Sequence, residues 1–259
     1  MSVADEQPKA EEKKAKAKSG GGMWDTIKIV IQALILALLV RTFLFQPFSI
    51  PSGSMEDTLL VGDFLFVSKY AYGYSRYSLP FSPNLWDGRI FSSEPERGDI
   101  VVFKLPRDNA TDYIKRVIGL PGDRIQMINN QLYINGEPTE LERLGEETAG
   151  GPFGRVTRYR ETLPNGVSYE ILDAIQNSST DNTPEFVVPE GHYFMMGDNR
   201  DNSTDSRVPP ERGGVGFVPF ENLIGRAEII FFSVDEDARA WEFWRWPWTV
   251  RGERLFNGL

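Results

Sequence analysis

The chain has 259 residues, 28 basic and 37 acidic, with one histidine and no cysteine. Those counts exclude a disulfide framework, a cysteine nucleophile, thiolate-bound zinc and Fe–S clusters, and leave His192 as the only base for any histidine triad. The net charge of −9 argues against nucleic acid as a partner.

Residues 1–22 are mostly Ala, Lys, Glu and Gly, with no aromatic side chain. Such a composition buries too little to order itself, so a disordered tail is expected. Lys9, Lys13, Lys14, Lys16 and Lys18 precede an apolar stretch, which by the positive-inside rule keeps the tail cytoplasmic. The purely apolar part, Ile29 to Val40 interrupted only by Gln32, is too short for a hydrocarbon layer of ~30 Å. Continuation to Phe48 makes it long enough, with Arg41 snorkelling to the interface. No small-x-small cleavage site follows Val40, so residues 23–48 are expected to be an uncleaved anchor. A cleaved leader and a buried soluble helix are the alternatives. The anchor places everything after Pro47 outside the cytoplasm.

Beyond it the pattern is strand-like. Short β-branched or aromatic runs occupy 63–67, 99–103, 113–118, 124–128, 131–134, 185–188, 192–196 and 228–232, with turn signals such as Pro121-Gly122-Asp123, Asn135-Gly136 and Pro189-Glu190-Gly191 among them. Asn129-Asn130 reads as a hairpin turn. The expected fold is mainly β: one N-terminal transmembrane helix, then a largely antiparallel sheet domain with a smaller inserted β subdomain at 137–184. Residues 71–96 also look inserted. The final segment, 236–259, sets Trp241, Trp244, Trp246 and Trp248 among arginines, which suits either a membrane interface or ordinary packing.

Three segments carry possible chemistry. In Ser49-Ile50-Pro51-Ser52-Gly53-Ser54-Met55 a turn could present a serine hydroxyl as nucleophile, although a plain serine-rich linker reads the same way. In Tyr113 through Asp123 two adjacent cations, Lys115 and Arg116, interrupt an apolar strand. Alternation puts Tyr113, Lys115 and Val117 on one face and Arg116 on the other, so one cation is expected on a buried face. A buried lysine can lose its proton and act as a general base, whereas arginine cannot. A lysine snorkelling to water is the plainer reading. Met196 through Arg207 is so polar that a solvated loop is expected, with Asp205 and Arg207 as an ion pair. A metal reading on Asp198, Asp201 and Asp205 lacks the glycine and terminal glutamate of a calcium loop.

Taken together and in this order, behind an N-terminal anchor, these segments resemble the type I signal peptidases, serine proteases with a Ser-Lys dyad. Phe48–Leu60, Gly62–Gly73, Arg97–Phe103, Tyr113–Asp123 and Gly197–Arg207 carry the resemblance. It implies Ser54 as nucleophile and Lys115 as general base. It implies an oxyanion hole from the Ser52 hydroxyl and the Ser54 N–H. Ser203 would orient the lysine, with Tyr113, Asp205 and Arg207 in support. Phe48, Ile50, Met55, Leu65, Val102, Ile114 and Met196 would line two shallow pockets for small side chains. One departure is visible: Asp57, preceded by Glu56, stands where many members carry proline after Ser-Met-x, which makes the rim more acidic.

The implied enzyme removes signal peptides from exported preproteins at Ala-x-Ala sites, through an acyl-enzyme and without metal or cofactor. It would work as a monomer on the outer side of a bacterial inner membrane. Residues 49–136 and 185–235 would form the catalytic domain in two parts. A relative with one dedicated substrate and a non-catalytic, membrane-tethered β domain are the rivals. The self-cleaving repressors share the Ser-Lys logic but need a DNA-binding domain where this chain has an anchor.

Overall fold

The computed structural model describes residues 22–148, 154–238 and 241–259. The tail at 1–21, with its lysines, lies outside them.

Helix α1 spans Met23–Phe43. Its 21 residues extend ~32 Å at 1.5 Å per residue, long enough to cross a bilayer. The expected anchor at 23–48 is therefore corrected at its end: the helix gains its length on the N-terminal side and stops at Phe43. Apart from Thr42, every residue of α1 is exposed, with apolar side chains all round. A helix of that kind suits lipid on every side.

The chain from Leu39 onward forms the second compact unit. Phe45–Ser49, read above as the end of the anchor, is strand β1. It pairs antiparallel with β2 (Asp63–Ser68), from Phe45 opposite Ser68 to Ser49 opposite Phe64. Pro47 is tolerated because β1 is an edge strand that leaves one row of N–H groups unused. The remaining strands are β3 (Ile100–Lys104), β4 (Asp112–Gly119), β5 (Arg124–Ile128), β6 (Gln131–Ile134), β7 (Glu137–Pro138), β8 (Glu140–Thr148), β9 (Arg155–Thr162), β10 (Ser168–Asp173), β11 (Phe186–Val187), β12 (His192–Met196), β13 (Val218–Pro219), β14 (Leu223–Ser233) and β15 (Asn257–Gly258).

The main sheet runs β1-β2-β14-β3-β4-β12-β13, with β15 added to β14. Two smaller sheets, β10-β9-β8 and β11-β5-β6-β7, lie outside it, and the neighbouring strands within all three sheets pair antiparallel. The β5–β6 hairpin turns at Asn129 and Asn130, both at positive φ as a tight hairpin requires. The 137–184 stretch holds the three-stranded sheet, yet Leu163, Tyr169 and Ile171 share one core with Ile118, Ile125 and Phe194. The 71–96 stretch is held by Arg89. Its guanidinium donates to the carbonyls of Tyr72, Gly73, Phe220 and Leu223.

At the C-terminus, Arg254 donates to the buried Asp63 carboxylate at 2.6 Å and β15 closes on β14. Trp241, Trp244 and Trp248 are exposed.

Strand β4 positions the site. It lies between β3 and β12, and its last six residues are all buried. The expectation that only one of the two adjacent cations is buried is corrected: Lys115 is 2% exposed and Arg116 5%. A strand covered on both faces by packed cores leaves neither side for a charge to reach water. Ile114 belongs to one core, Val117 to a second and Ile118 to a third.

Candidate active site

Ser52, Gly53, Ser54 and Met55 leave β1 through an extended residue and a single 3₁₀ turn. The turn closes by the Glu56 N–H donating to Gly53 O at 3.2 Å, and the Leu59 N–H donating to Met55 O at 2.8 Å fixes the chain that follows. It aims the Ser54 hydroxyl at β4, where Lys115 Nζ lies 2.6 Å from Ser54 Oγ. The amine also bonds Ile114 O at 2.9 Å, and it sits 5.6 Å from the centroid of the Tyr113 ring. Tyr113 and Lys115 thus share the face that alternation assigned them.

Burial is the main reason the Lys115 ammonium is pushed down to about 8. Asp205 and Asp198 oppose the shift and Arg207 adds to it. Ser52 Oγ is 3.5 Å from Ser54 Oγ. A cleft of about 360 Å³ opens on this group, lined by Pro51, Ser52, Ser54, Tyr113, Ile114 and Lys115.

The apolar residues named from the sequence fall into two places. Ile50, Met55, Leu65, Val102 and Ile114 form one buried cluster with Phe48 packed against it. Register explains the grouping: Phe48 is opposite Leu65, and Val102 is opposite Ile114. Met196 stands apart, buried in the core that holds Ile118 and Phe194. His192 also lies apart. It lines a separate cleft with Phe186, Pro189 and Phe217, and its Nδ1 is 2.9 Å from Glu190 O.

The polar loop 197–207 is not the solvated loop expected of its composition. Asp198, Asn199, Arg200, Ser203, Asp205, Ser206 and Arg207 are all buried. Asp205 accepts from Arg207 Nε at 2.9 Å and Nη2 at 2.8 Å, the ion pair read from the sequence. Burial alone would raise the Asp205 carboxyl. Arg207 and the Gly197 and Arg207 N–H groups instead hold it below its ordinary value. Asp198 accepts both Arg116 Nε at 2.9 Å and Nη2 at 2.6 Å, and the Thr58 hydroxyl at 2.5 Å. Asp201 accepts the Ala174 and Ile175 N–H groups. The three carboxylates weighed as metal ligands are thus engaged with the protein's own donors.

Sequence reasoning missed the partners of this loop. Arg116 stacks 4.0 Å over the Tyr169 ring. Tyr169 donates to Glu161 at 2.5 Å, and Glu161 pairs with the buried Arg200. The interruption of an apolar run by Arg116 was the only signal. Glu161, on β9, gave none.

Ser203 is buried and its hydroxyl has no hydrogen-bond partner among the described residues, so the expected bond to Lys115 is not formed in this structure. Its placement depends on Gly197. A Cβ there would lie 2.2 Å from Ser203 Oγ and 2.4 Å from Ser54 O. Gly197→Ala is therefore expected to displace the Ser54 turn and lower kcat/KM by about 10²-fold, the usual cost of a shift of ~1 Å at a reacting group. A peptide-cleavage assay that found wild-type rates would show that the loop absorbs the methyl without moving Ser54.

The acidic rim is neutralised in part. Asp57 accepts from Arg158 Nη2 at 3.2 Å, and Glu56 accepts from Asn199 Nδ2 at 3.1 Å. Burial, and a carboxyl-to-carboxyl contact with Glu170, push the Asp57 carboxyl up to about 6.

A buried amine bonded to a serine hydroxyl at the wall of a cleft is the arrangement of a serine hydrolase that uses lysine where others use histidine. Comparison with known proteins narrows this class. The family model for signal peptidase, peptidase S26, matches residues 23–232. Signal peptidase I of Rickettsia typhi (strain ATCC VR-144 / Wilmington) is 49% identical over 244 residues, covering 87% of this chain and 90% of its own. That of Rickettsia massiliae (strain Mtu5) is 47% identical over 253 residues, covering 91% and 92%. A crystal structure of a signal peptidase I from Enterococcus faecalis V583 is 27% identical with a TM-score of 0.31, covering 52% of this chain and 97% of that one. The chain belongs to the signal peptidase I family, serine endopeptidases of the S26 class.

Proposed function

We propose that Ser54 is the nucleophile and Lys115 the general base with which this chain cleaves signal peptides from preproteins. The observation that carries the reading is the 2.6 Å contact between a serine hydroxyl and a lysine amine that is 2% exposed. The neutral amine takes the hydroxyl proton as Ser54 Oγ attacks the scissile carbonyl. The Ser54 N–H and the Ser52 hydroxyl donate to the developing oxyanion, each donor being worth ~10²–10³ in rate. The ammonium then hands its proton to the leaving amine, and the acyl-enzyme remains. Freed of the proton, Lys115 activates the water that releases the acyl group.

Phe48, Ile50, Leu65, Val102 and Ile114 provide an apolar wall for small side chains before the scissile bond. Ser203 orients the lysine once the amine turns toward it. The unpartnered hydroxyl supports that role.

The membrane helix supports a tethered enzyme: Ser54 follows α1 after one short strand, so its search is confined near the bilayer, where signal peptides also lie. The tail is cytoplasmic and the β domain lies on the outer face of a bacterial inner membrane, acting as a monomer. Residues 49–136 and 185–235 are its catalytic domain and 137–184 an insertion.

To test this, full-length chain is incubated with a preprotein whose signal peptide ends in Ala-x-Ala, quenched in acid during turnover and digested for mass mapping. The acyl adduct is expected on the peptide that contains Ser54. An adduct on another residue, with Ser54 unmodified, sinks the assignment.

A further inference from the structure

A second polar pocket lies near the end of α1 and is separate from the Ser54 cleft except at Asp112. It measures about 160 Å³ and is lined by Arg41, Gln46, Lys69, Lys104, Asp112 and the 79–82 turn. Arg41 belongs to the last turn of α1. Lys69 follows β2 and is 3% exposed, as buried as the candidate general base. Unlike Arg116, Arg200 and Arg207, it has no carboxylate within ion-pair distance among the described residues. Its ammonium donates to Ser78 O at 2.6 Å. Lys104 pairs with Asp112 at 2.7 Å, and Nζ also donates to Ala110 O.

Three cations therefore face one carboxylate. Burial is the main force pushing the Lys69 ammonium down, to about 8, and the fields of Arg41 and Lys104 add to it against Asp112. A cation buried without a counter-charge, beside two others, destabilises the fold unless something offsets it. An anion with several acceptor oxygens does so, because each ammonium or guanidinium then gains a charge-assisted hydrogen bond. The pocket is small for a nucleotide and ample for one phosphate group.

We propose that Arg41, Lys69 and Lys104 form a binding site for a phosphate group. Phospholipid headgroups and free phosphate share this chemistry. The place of Arg41 in the last turn of a bilayer-length helix favours the headgroup of an anionic lipid. The fully exposed Phe81 in the 79–82 turn, beside the three cations, fits the same source. The site is independent of the roles assigned to Ser54 and Lys115.

The test uses full-length chain in neutral detergent micelles, titrated separately with dihexanoyl phosphatidylglycerol and with inorganic phosphate and followed by ³¹P line broadening. Saturable binding of both probes is expected, with the lipid tighter. Equal affinities would keep the phosphate site and make the free anion its ligand. Lys69→Met and Arg41→Gln are each expected to weaken both probes by about tenfold or more, the worth of one charge-assisted hydrogen bond. Lys69→Met should not unfold the chain, since it removes an uncompensated buried charge, and Arg41→Gln changes only an exposed side chain. Absence of saturable binding, or affinities unchanged in both variants, would overturn the proposal.

Discussion

Lys115→Met is expected to be at once inactive and more stable than the parent. The loss of activity follows from the proposed role. Without a base at 2.6 Å, the Ser54 hydroxyl stays protonated at neutral pH, and the rate should fall by about 10⁴-fold or more, as when one member of a catalytic triad is removed. Lys115→Arg should fall as far, because a guanidinium keeps its proton.

The gain in stability follows from linkage. The folded chain holds the Lys115 ammonium near 8, mainly through burial, against 10.5 for a free lysine. Below pH 8 both states carry the proton and the fold bears the full penalty. Between pH 8 and pH 10 the unfolded chain still binds a proton that the folded chain has released, so stability rises with pH across that window. At 1.36 kcal/mol per unit the penalty at pH 7 is about 3 kcal/mol, and a methionine of similar length removes it. Urea melts at pH 7 and pH 10 measure it. The parent should gain stability between them, and Lys115→Met should show no such rise from this position. The same titration governs catalysis: kcat/KM of the parent should climb about tenfold per pH unit below 8 and level off above. A pH-independent rate from pH 6 to pH 9 would show that the lysine proton is not in the reaction.

How far the sequence foretold this site depends on the distance over which each feature is encoded. Strands such as Arg124–Ile128, Gln131–Ile134 and His192–Met196 were legible to the residue, because alternation and turn residues are local signals. The end of α1 was not. Phe45–Ser49 is apolar enough to pass for helix, and what makes it a strand is the backbone of β2, which no local pattern contains. Ser54 and Lys115 were legible as candidates through resemblance. Read from the residues alone, a serine-rich linker and a snorkelling lysine stood as the plainer accounts.

The loop 197–207 was misread because polarity was taken for exposure. Its charges are buried since each finds a partner, Asp205 and Arg207 in one another and two others far along the chain. Asp198 meets Arg116 and Arg200 meets Glu161, and neither pairing leaves a periodic trace. Met196 shows the same limit from the apolar side, since it lies next to the loop but packs into a different core from Ile114.

Asp198→Asn should therefore be among the most destabilising single substitutions in the chain, although asparagine has nearly the same shape. Asp198 is 1% exposed and accepts two hydrogen bonds from Arg116 and one from Thr58. Burial alone would lower the Arg116 guanidinium, and it is Asp198 that reverses this and holds the cation charged. Asparagine leaves that charge in place with no counter-ion, and in either orientation turns an amide donor toward a guanidinium N–H. Breaking a buried pair from one side costs ~3–5 kcal/mol, a large part of the ~5–15 kcal/mol that holds a typical domain together.

The damage should also reach the reaction. Arg116 is the residue after Lys115, Thr58 follows the Ser54 turn, and the Asn199 N–H donates to Ser54 O at 3.2 Å. One carboxylate therefore ties together the strand that carries the amine, the turn that carries the hydroxyl and the loop behind both. Activity lost through this route differs from activity lost at Lys115. The rate should fall in proportion to how far Ser54 and Lys115 separate, while the remaining activity still titrates near 8. The double variant Asp198→Leu, Arg116→Met removes both charges and should recover much of the stability, because an apolar pair of similar volume fills the same space without a desolvation penalty. A double variant as unstable as Asp198→Asn would show that the pair's hydrogen bonds, from Arg116 Nη1 to Gly98 O at 2.8 Å and with the Thr58 hydroxyl, hold this part of the fold rather than its charges.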